Sequence, residues 1–103
     1  MPNTLSKCLW LVNTIYEAKK ISFKELNLKW KRNISLSDGN ALSRTSFNRW
    51  KDLALDMFGI VVECDKGNSF KYYILNPEEL ENGKMQGWLL DNYALGVLMT
   101  ENM

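Results

Sequence analysis

Residues 43–75 read SRTSFNRWKDLALDMFGIVVECDKGNSFKYYIL, and the fold turns on where their periodicity changes. From Ser43 to about Phe58 the apolar positions follow a helical repeat. Phe47, Trp50, Ala54, Met57 and Phe58 fall within an arc of about 100° on a helical wheel. Arg44, Thr45, Asn48, Arg49 and Asp52 occupy the opposite arc. Ser43 is the expected N-cap. Gly59 is the expected residue just past the helix, where a left-handed conformation closes the last turn. From Ile60 the period drops to two. Ile60, Val62 and Cys64 alternate with Val61, Glu63 and Asp65. After a turn at Lys66-Gly67-Asn68, Phe70, Tyr72 and Ile74 alternate with Lys71, Tyr73 and Leu75. A helix thus runs directly into a β-hairpin, with Gly67 expected to supply the positive φ of the turn.

Upstream, Leu5 to Lys19 reads as a first helix, with Leu5, Cys8, Leu9, Val12, Ile15 and Tyr16 at helical spacing. A second helix opens at Ile21-Ser22-Phe23-Lys24-Glu25-Leu26. Ser22 and Glu25 stand three apart, the spacing of a capping box in which each side chain satisfies an orphan amide. Phe23, Leu26 and Trp30 share one face of this helix, which should stop near Asn33. Residues 33–42 carry Ser37-Asp38-Gly39-Asn40 and read as a loop. Downstream, Asn76-Pro77-Glu78-Glu79 is a helix start, with Asn76 as cap, proline at the first position and acids at the positive end. Gly83 interrupts, and a final helix is expected from about Lys84. Trp88, Leu89, Leu90, Tyr93, Leu95, Val97 and Leu98 cover too much of it for a small core to bury, so it wants a partner. The expected organisation is one domain over residues 1–76 and a helical extension over 77–103.

The composition excludes several function classes. The chain of 103 residues has no histidine, which removes the commonest general base and metal ligand. Cys8 and Cys64 lie far apart without cysteine neighbours, so no metal site is expected. The six glycines are isolated and form no phosphate loop. No enzyme activity and no cofactor are expected. Neither a secretion signal nor a membrane-spanning run is visible, which points to a cytoplasmic protein with both thiols reduced and packed as small apolar groups. The formal net charge is only +1. Yet residues 1–51 hold ten basic and three acidic residues, a net of +7, while residues 52–103 hold three basic and nine acidic, a net of −6. Near-neutrality is a cancellation.

Helix, helix, loop, helix, hairpin is the order of a winged helix-turn-helix, an α+β and mostly helical fold that docks one helix in the major groove. On the exposed arc, Arg44 and Arg49 suit the guanine edge, Asn48 the adenine edge, and Thr45 either a phosphate or a thymine methyl. Ser43 and Ser46 in the first turn, Lys24, Lys31 and Arg32 on the second helix, and Lys66 and Lys71 on the hairpin are candidates for phosphate contact. Asp52 is expected to orient Arg49 or Arg44. Trp30 and Trp50 belong to the core, whereas Trp10 sits off the main stripe and is expected against the last helix. One of Tyr72 and Tyr73 should face the core.

The sequence also resembles the N-terminal winged helix-turn-helix of bacterial WYL-domain transcriptional regulators. The resembling segments are Trp10-Leu11-Val12-Asn13-Thr14-Ile15-Tyr16, Ile21-Ser22-Phe23-Lys24-Glu25-Leu26, Arg44-Thr45-Ser46-Phe47, Met57-Phe58-Gly59-Ile60, Glu63-Cys64-Asp65 and Asn76-Pro77-Glu78-Glu79-Leu80. The resemblance implies binding to double-stranded DNA, dimers, and a C-terminal sensor domain to which nothing here corresponds. It makes this chain the DNA-binding part of a longer regulator, with the final helix reaching a second subunit or the sensor. The rival reading is a winged-helix protein-interaction or dimerisation module, with the acidic second half and the terminal helix as the interface.

Overall fold

The computed structural model describes residues 4–67 and 69–82. The fold is α+β and mostly helical. In chain order it comprises α1 (Thr4–Ala18), α2 (Phe23–Arg32), α3 (Ile34–Ser37), α4 (Arg44–Phe58), β1 (Val62–Asp65), β2 (Lys71–Ile74) and α5 (Glu78–Asn82). That order is compatible with a winged helix-turn-helix.

α1 lies at the centre, packed on α4 and on β2. It therefore buries a wide stripe, Cys8, Leu9, Trp10, Leu11, Val12 and Ile15. α2 begins as its sequence requires. Glu25 N–H donates to Ser22 Oγ at 3.1 Å, and Ser22 N–H donates to Glu25 Oε1 at 3.1 Å. The Ser22 backbone and hydroxyl hydrogen bonds, in that order, lower the Glu25 pKa below its ordinary value. A carboxyl whose folded pKa is depressed stabilises the fold above its unfolded pKa and loses that contribution as pH falls through the folded value. Ser22→Ala removes the N-cap of α2 and is expected to cost about 1 kcal/mol at neutral pH. Urea unfolding across an acid titration should show the gap between the two proteins narrowing as pH falls through the lowered Glu25 value.

Three tryptophans from three helices meet in the core. The Trp10 and Trp30 rings stand edge to face at 5.1 Å and 64°, and Trp30 meets Trp50 at 5.1 Å and 50°. Trp10 is thus 7% exposed and faces α2. It belongs to the buried side of α1, which is covered on more sides than one amphipathic stripe assumes, while the last helix against which it is expected lies outside the described residues. Cys8 seals the α1–α4 contact, its Sγ–H donating to the Trp50 carbonyl at 3.3 Å. Burial pushes this thiol up to about 12. It is a neutral thiol in native protein, while Cys64 is free and half-buried. A maleimide titration at neutral pH should label Cys64 well before Cys8, and both at equal rates in denaturant. Native labelling of Cys8 as fast as Cys64 would contradict this packing.

Residues 33–42 hold more than a loop. Asn33 Oδ1 accepts from Leu36 N–H at 3.3 Å and starts the single turn α3. Its last residue, Ser37, is buried and accepts from Gly39 N–H at 3.0 Å. One turn is too short for a helical repeat to register in sequence. Asn27 Oδ1 accepts from Leu42 N–H at 2.8 Å and holds this connection to α2.

α4 starts with Ser46 N–H donating to Ser43 Oγ at 3.0 Å. It ends at Gly59 with φ 69°, where Ile60 N–H reaches back to the Ala54 carbonyl at 3.3 Å. Phe47, Trp50, Ala54 and Phe58 are buried as expected, but Met57, at the margin of the arc, is 39% exposed. The antiparallel hairpin pairs Val62 with Ile74 and Cys64 with Tyr72. Its strands are shorter than the alternation suggested. The positive φ at the turn falls on Ser69 (58°) and Phe70 (55°), not on Gly67.

Two contacts brace the hairpin. Ile21 N–H donates to the Tyr72 carbonyl at 3.0 Å and Tyr72 N–H to the Ile21 carbonyl at 2.7 Å, so the α1–α2 connection adds a one-residue third strand to β2. Asn76 does not cap α5 with its side chain. Its Oδ1 accepts from Val61 N–H at 2.9 Å and its Nδ2 donates to the Gly59 carbonyl at 2.8 Å, stapling the exit of α4 to the end of β2. Beyond it, Leu80 is buried and Tyr16 Oη donates to Glu81 Oε2, which raises the tyrosine pKa. The helix expected from Lys84, with Trp88, lies outside the described residues.

Candidate nucleic-acid interface

The buried side of α4 fixes its rotation. With Phe47, Trp50, Ala54 and Phe58 held inward, Arg44, Thr45, Asn48, Arg49 and Asp52 are all exposed. Fifteen residues make a rod of about 22 Å, long enough to lie along a major groove about 12 Å wide.

Arg44 is set apart from the rest of the arc. Its guanidinium lies 3.9 Å from the centre of the Phe23 ring, and its Nη1–H donates to Tyr72 Oη at 2.9 Å. One residue thereby ties the first turn of α4 to the start of α2 and to the hairpin. Phe23 and Tyr72 in turn both meet the Phe47 ring, at 5.4 and 4.8 Å, so the anchor stands on the core itself. A guanidinium has five N–H donors in a planar fork, so those turned away from Tyr72 can still meet a phosphate oxygen or a base edge. Asp52 pairs with neither arginine. The ion pair among the described residues is Lys20 Nζ with Asp65 Oδ2 at 2.7 Å, which holds the base of the hairpin turn to the α1–α2 connection.

The phosphate candidates are spread over several elements. Ser43 and Ser46 stand at the start of α4, Lys24 on the first turn of α2 and Lys71 on β2. The Ser43 oxygen is engaged as the cap, which leaves its hydrogen to donate, and half-buried Ser46 lines a shallow recess with Lys7, Asn40 and Trp50. Lys71 is half-buried on β2, and its charge helps lower the Glu25 pKa, which places it against the first turn of α2. Lys31 and Arg32 are exposed on the last turn of α2, about 10 Å along that helix from Lys24. Lys66 is exposed in the hairpin turn.

Lys51 is a cation absent from the sequence-based set. Its Nζ lies 5.4 Å from the centre of Phe47 and 6.0 Å from that of Tyr72. Seven residues bring it back to within about 20° of Arg44 on the helix, a spacing that could have flagged it. Arg44 and Lys51 thus flank Tyr72 at the junction of α4 and the hairpin.

The chain matches no family model, no curated protein and no solved structure. Its chemistry must be read from its own residues. Among the described residues no helix is long and apolar enough to cross a membrane. What the arrangement offers is a helix with an outward arc of hydrogen-bonding and cationic side chains, braced at its first turn by an arginine that also holds the hairpin.

Proposed function

We propose that this chain is the DNA-binding part of a cytoplasmic transcriptional regulator, a winged helix-turn-helix of the kind found in WYL-domain regulators. The single observation that carries the reading is the outward arc of α4 with Arg44, Thr45, Asn48 and Arg49 exposed above a fully buried apolar side. In this reading α4 enters the major groove. Arg49 bonds a guanine edge, Asn48 an adenine edge, and Thr45 a thymine methyl or a phosphate. Arg44, anchored on Phe23 and Tyr72, sets the hairpin beside the helix and offers its outer N–H groups. Ser43, Ser46, Lys24, Lys71, Lys66, Lys31 and Arg32 neutralise phosphates along the two strands. No covalent step is involved.

A second reading has its own support. Leu28 (47%), Ile34 (61%) and Leu55 (51%) are exposed on helices, and such side chains suit a protein partner, a second copy included. Fluorescence polarisation with random-sequence duplex DNA at two salt concentrations separates the two. Affinity that falls steeply with salt supports DNA binding; salt-insensitive failure to bind, together with a stable dimer, supports the protein-interaction module. Lys31→Ala is expected to weaken binding evenly across sequences and to reduce the salt slope by about 1. Loss confined to particular sequences would contradict a phosphate role for Lys31.

A further inference from the structure

Phe70 combines two features that folding alone does not call for. Its side chain is 63% exposed, more than any other large apolar residue among the described ones. Its backbone sits at φ 55°, after Ser69 at φ 58°, a left-handed conformation that is unfavourable for L side chains and free for glycine. The turn contains a glycine, Gly67, but the positive φ angles lie elsewhere. A glycine or asparagine at position 70 would suit the turn better and would hide nothing less from water.

Its position gives the feature a direction. Phe70 immediately precedes β2, two residues from Tyr72, whose hydroxyl accepts from Arg44 at the start of α4. Two residues of extended chain span at most about 7 Å, so the Phe70 backbone lies close to the residue that Arg44 holds. The hairpin that carries it is held by the Ile21–Tyr72 bridge and by the Lys20–Asp65 ion pair. Lys66 in the same turn is exposed, and Lys71 follows directly. A hairpin braced in this way, with an exposed aromatic ring in the same turn as an exposed lysine and next in sequence to a second one, has the chemistry of an apolar wedge that enters a minor groove, partly unstacks one base step and leaves cations to the flanking phosphates.

We propose that Phe70 is such a wedge: with α4 in the major groove, the hairpin tip inserts the Phe70 ring between base pairs of the adjacent minor groove and kinks the duplex. The inference rests on the DNA-binding reading and deepens it. It makes the hairpin a bending device as well as a phosphate contact, and it favours pyrimidine–purine steps such as TA, which kink and unstack most readily.

The test uses the whole chain and a duplex of about 25 base pairs rich in TA steps, enough for one helix and the hairpin, carrying 2-aminopurine as a reporter of unstacking. The wild-type protein should raise the 2-aminopurine fluorescence on binding. Phe70→Ala should lose that rise and bind about tenfold more weakly, the scale of one aromatic–base contact, with an unchanged salt slope because no charge is removed. Phe70→Leu should keep much of both signals. Circular dichroism melting of Phe70→Ala no lower than wild type would confirm that the loss is not one of folding. Equal affinity and equal fluorescence rise for wild type and Phe70→Ala would overturn the wedge while leaving salt-steep DNA binding in place. Absence of salt-dependent binding by both proteins would overturn the wedge together with the DNA-binding reading.

Discussion

Trp30→Ala is expected to cost about 3–5 kcal/mol, the scale of removing a large aromatic side chain from a core. Trp30 is 5% exposed and is the middle member of a chain of rings, 5.1 Å from Trp10 on α1 and 5.1 Å from Trp50 on α4. Its ring neighbours Trp10 and Trp50 are themselves 7% and 5% exposed, so neither can move into the gap without leaving its own packing. Domains of this size are stable by about 5–15 kcal/mol in total, so the variant should lie near the edge of folding, with a midpoint lowered by roughly 15–30 °C. Trp30→Phe keeps a ring between the two partners and should cost clearly less. Leu55→Ala, at a residue 51% exposed, should stay within about 0.5 kcal/mol. Urea unfolding of the three variants provides the check, and a Trp30→Ala loss no larger than that of Leu55→Ala would remove Trp30 from the centre of the core.

The second large effect concerns function. Arg49→Ala is expected to weaken binding to a preferred DNA site by about 1–3 kcal/mol, the discrimination of one bidentate guanine contact. Because Arg49 is exposed, its removal should change stability by no more than about 0.5 kcal/mol. Arg44→Ala should weaken binding by a similar amount but also destabilise the junction. It loses the stack on Phe23 and leaves Tyr72 Oη without its donor. Arg44→Lys should recover only part of either, since an ammonium on a flexible stem cannot reproduce a planar fork lying on a ring. Selection of binding sites from a random duplex pool, followed by titration with both variants, reads these effects separately from thermal stability. Unchanged affinity in both variants, each folded as wild type, would remove this arc of α4 from DNA recognition.

The contrast between the two arginines marks where sequence reading stops. The positions of α1, α2 and α4, the capping box at Ser22 and Glu25, the Gly59 terminus and the hairpin are legible, because each depends on local chemistry at a fixed spacing. Long-range contacts left no such trace. Arg44 and Arg49 look alike on a helical wheel, yet only Arg44 lies beside Phe23 and Tyr72, residues brought there by the rest of the fold. Asn76 reads as a helix cap because asparagine before proline so often is one, and its capture by Gly59 and Val61 depends on where α4 ends. Ile21 pairs as a strand although it is one residue long, beneath the reach of any alternation pattern. The turn glycine misled for the opposite reason: a strong local preference at Gly67 was overridden by the path the two strands require.

The bridge between Ile21 and Tyr72 also sets an order of events for a chain made from its N-terminus. The helical part up to Phe58 has its local hydrogen bonds available as it emerges, although α1 and α4 meet across 42 residues. The hairpin by itself is two short strands, an arrangement that is marginal in water. It gains its third strand only when Tyr72 returns to a residue synthesised long before, across a loop that includes every helix from α2 to α4. The junction at which Arg44 grips Tyr72 therefore cannot close until β2 has been made. A nascent chain that stops short of Tyr72 lacks the surface that α4 and the hairpin share, so a half-made copy has no such surface with which to compete for whatever a finished one binds.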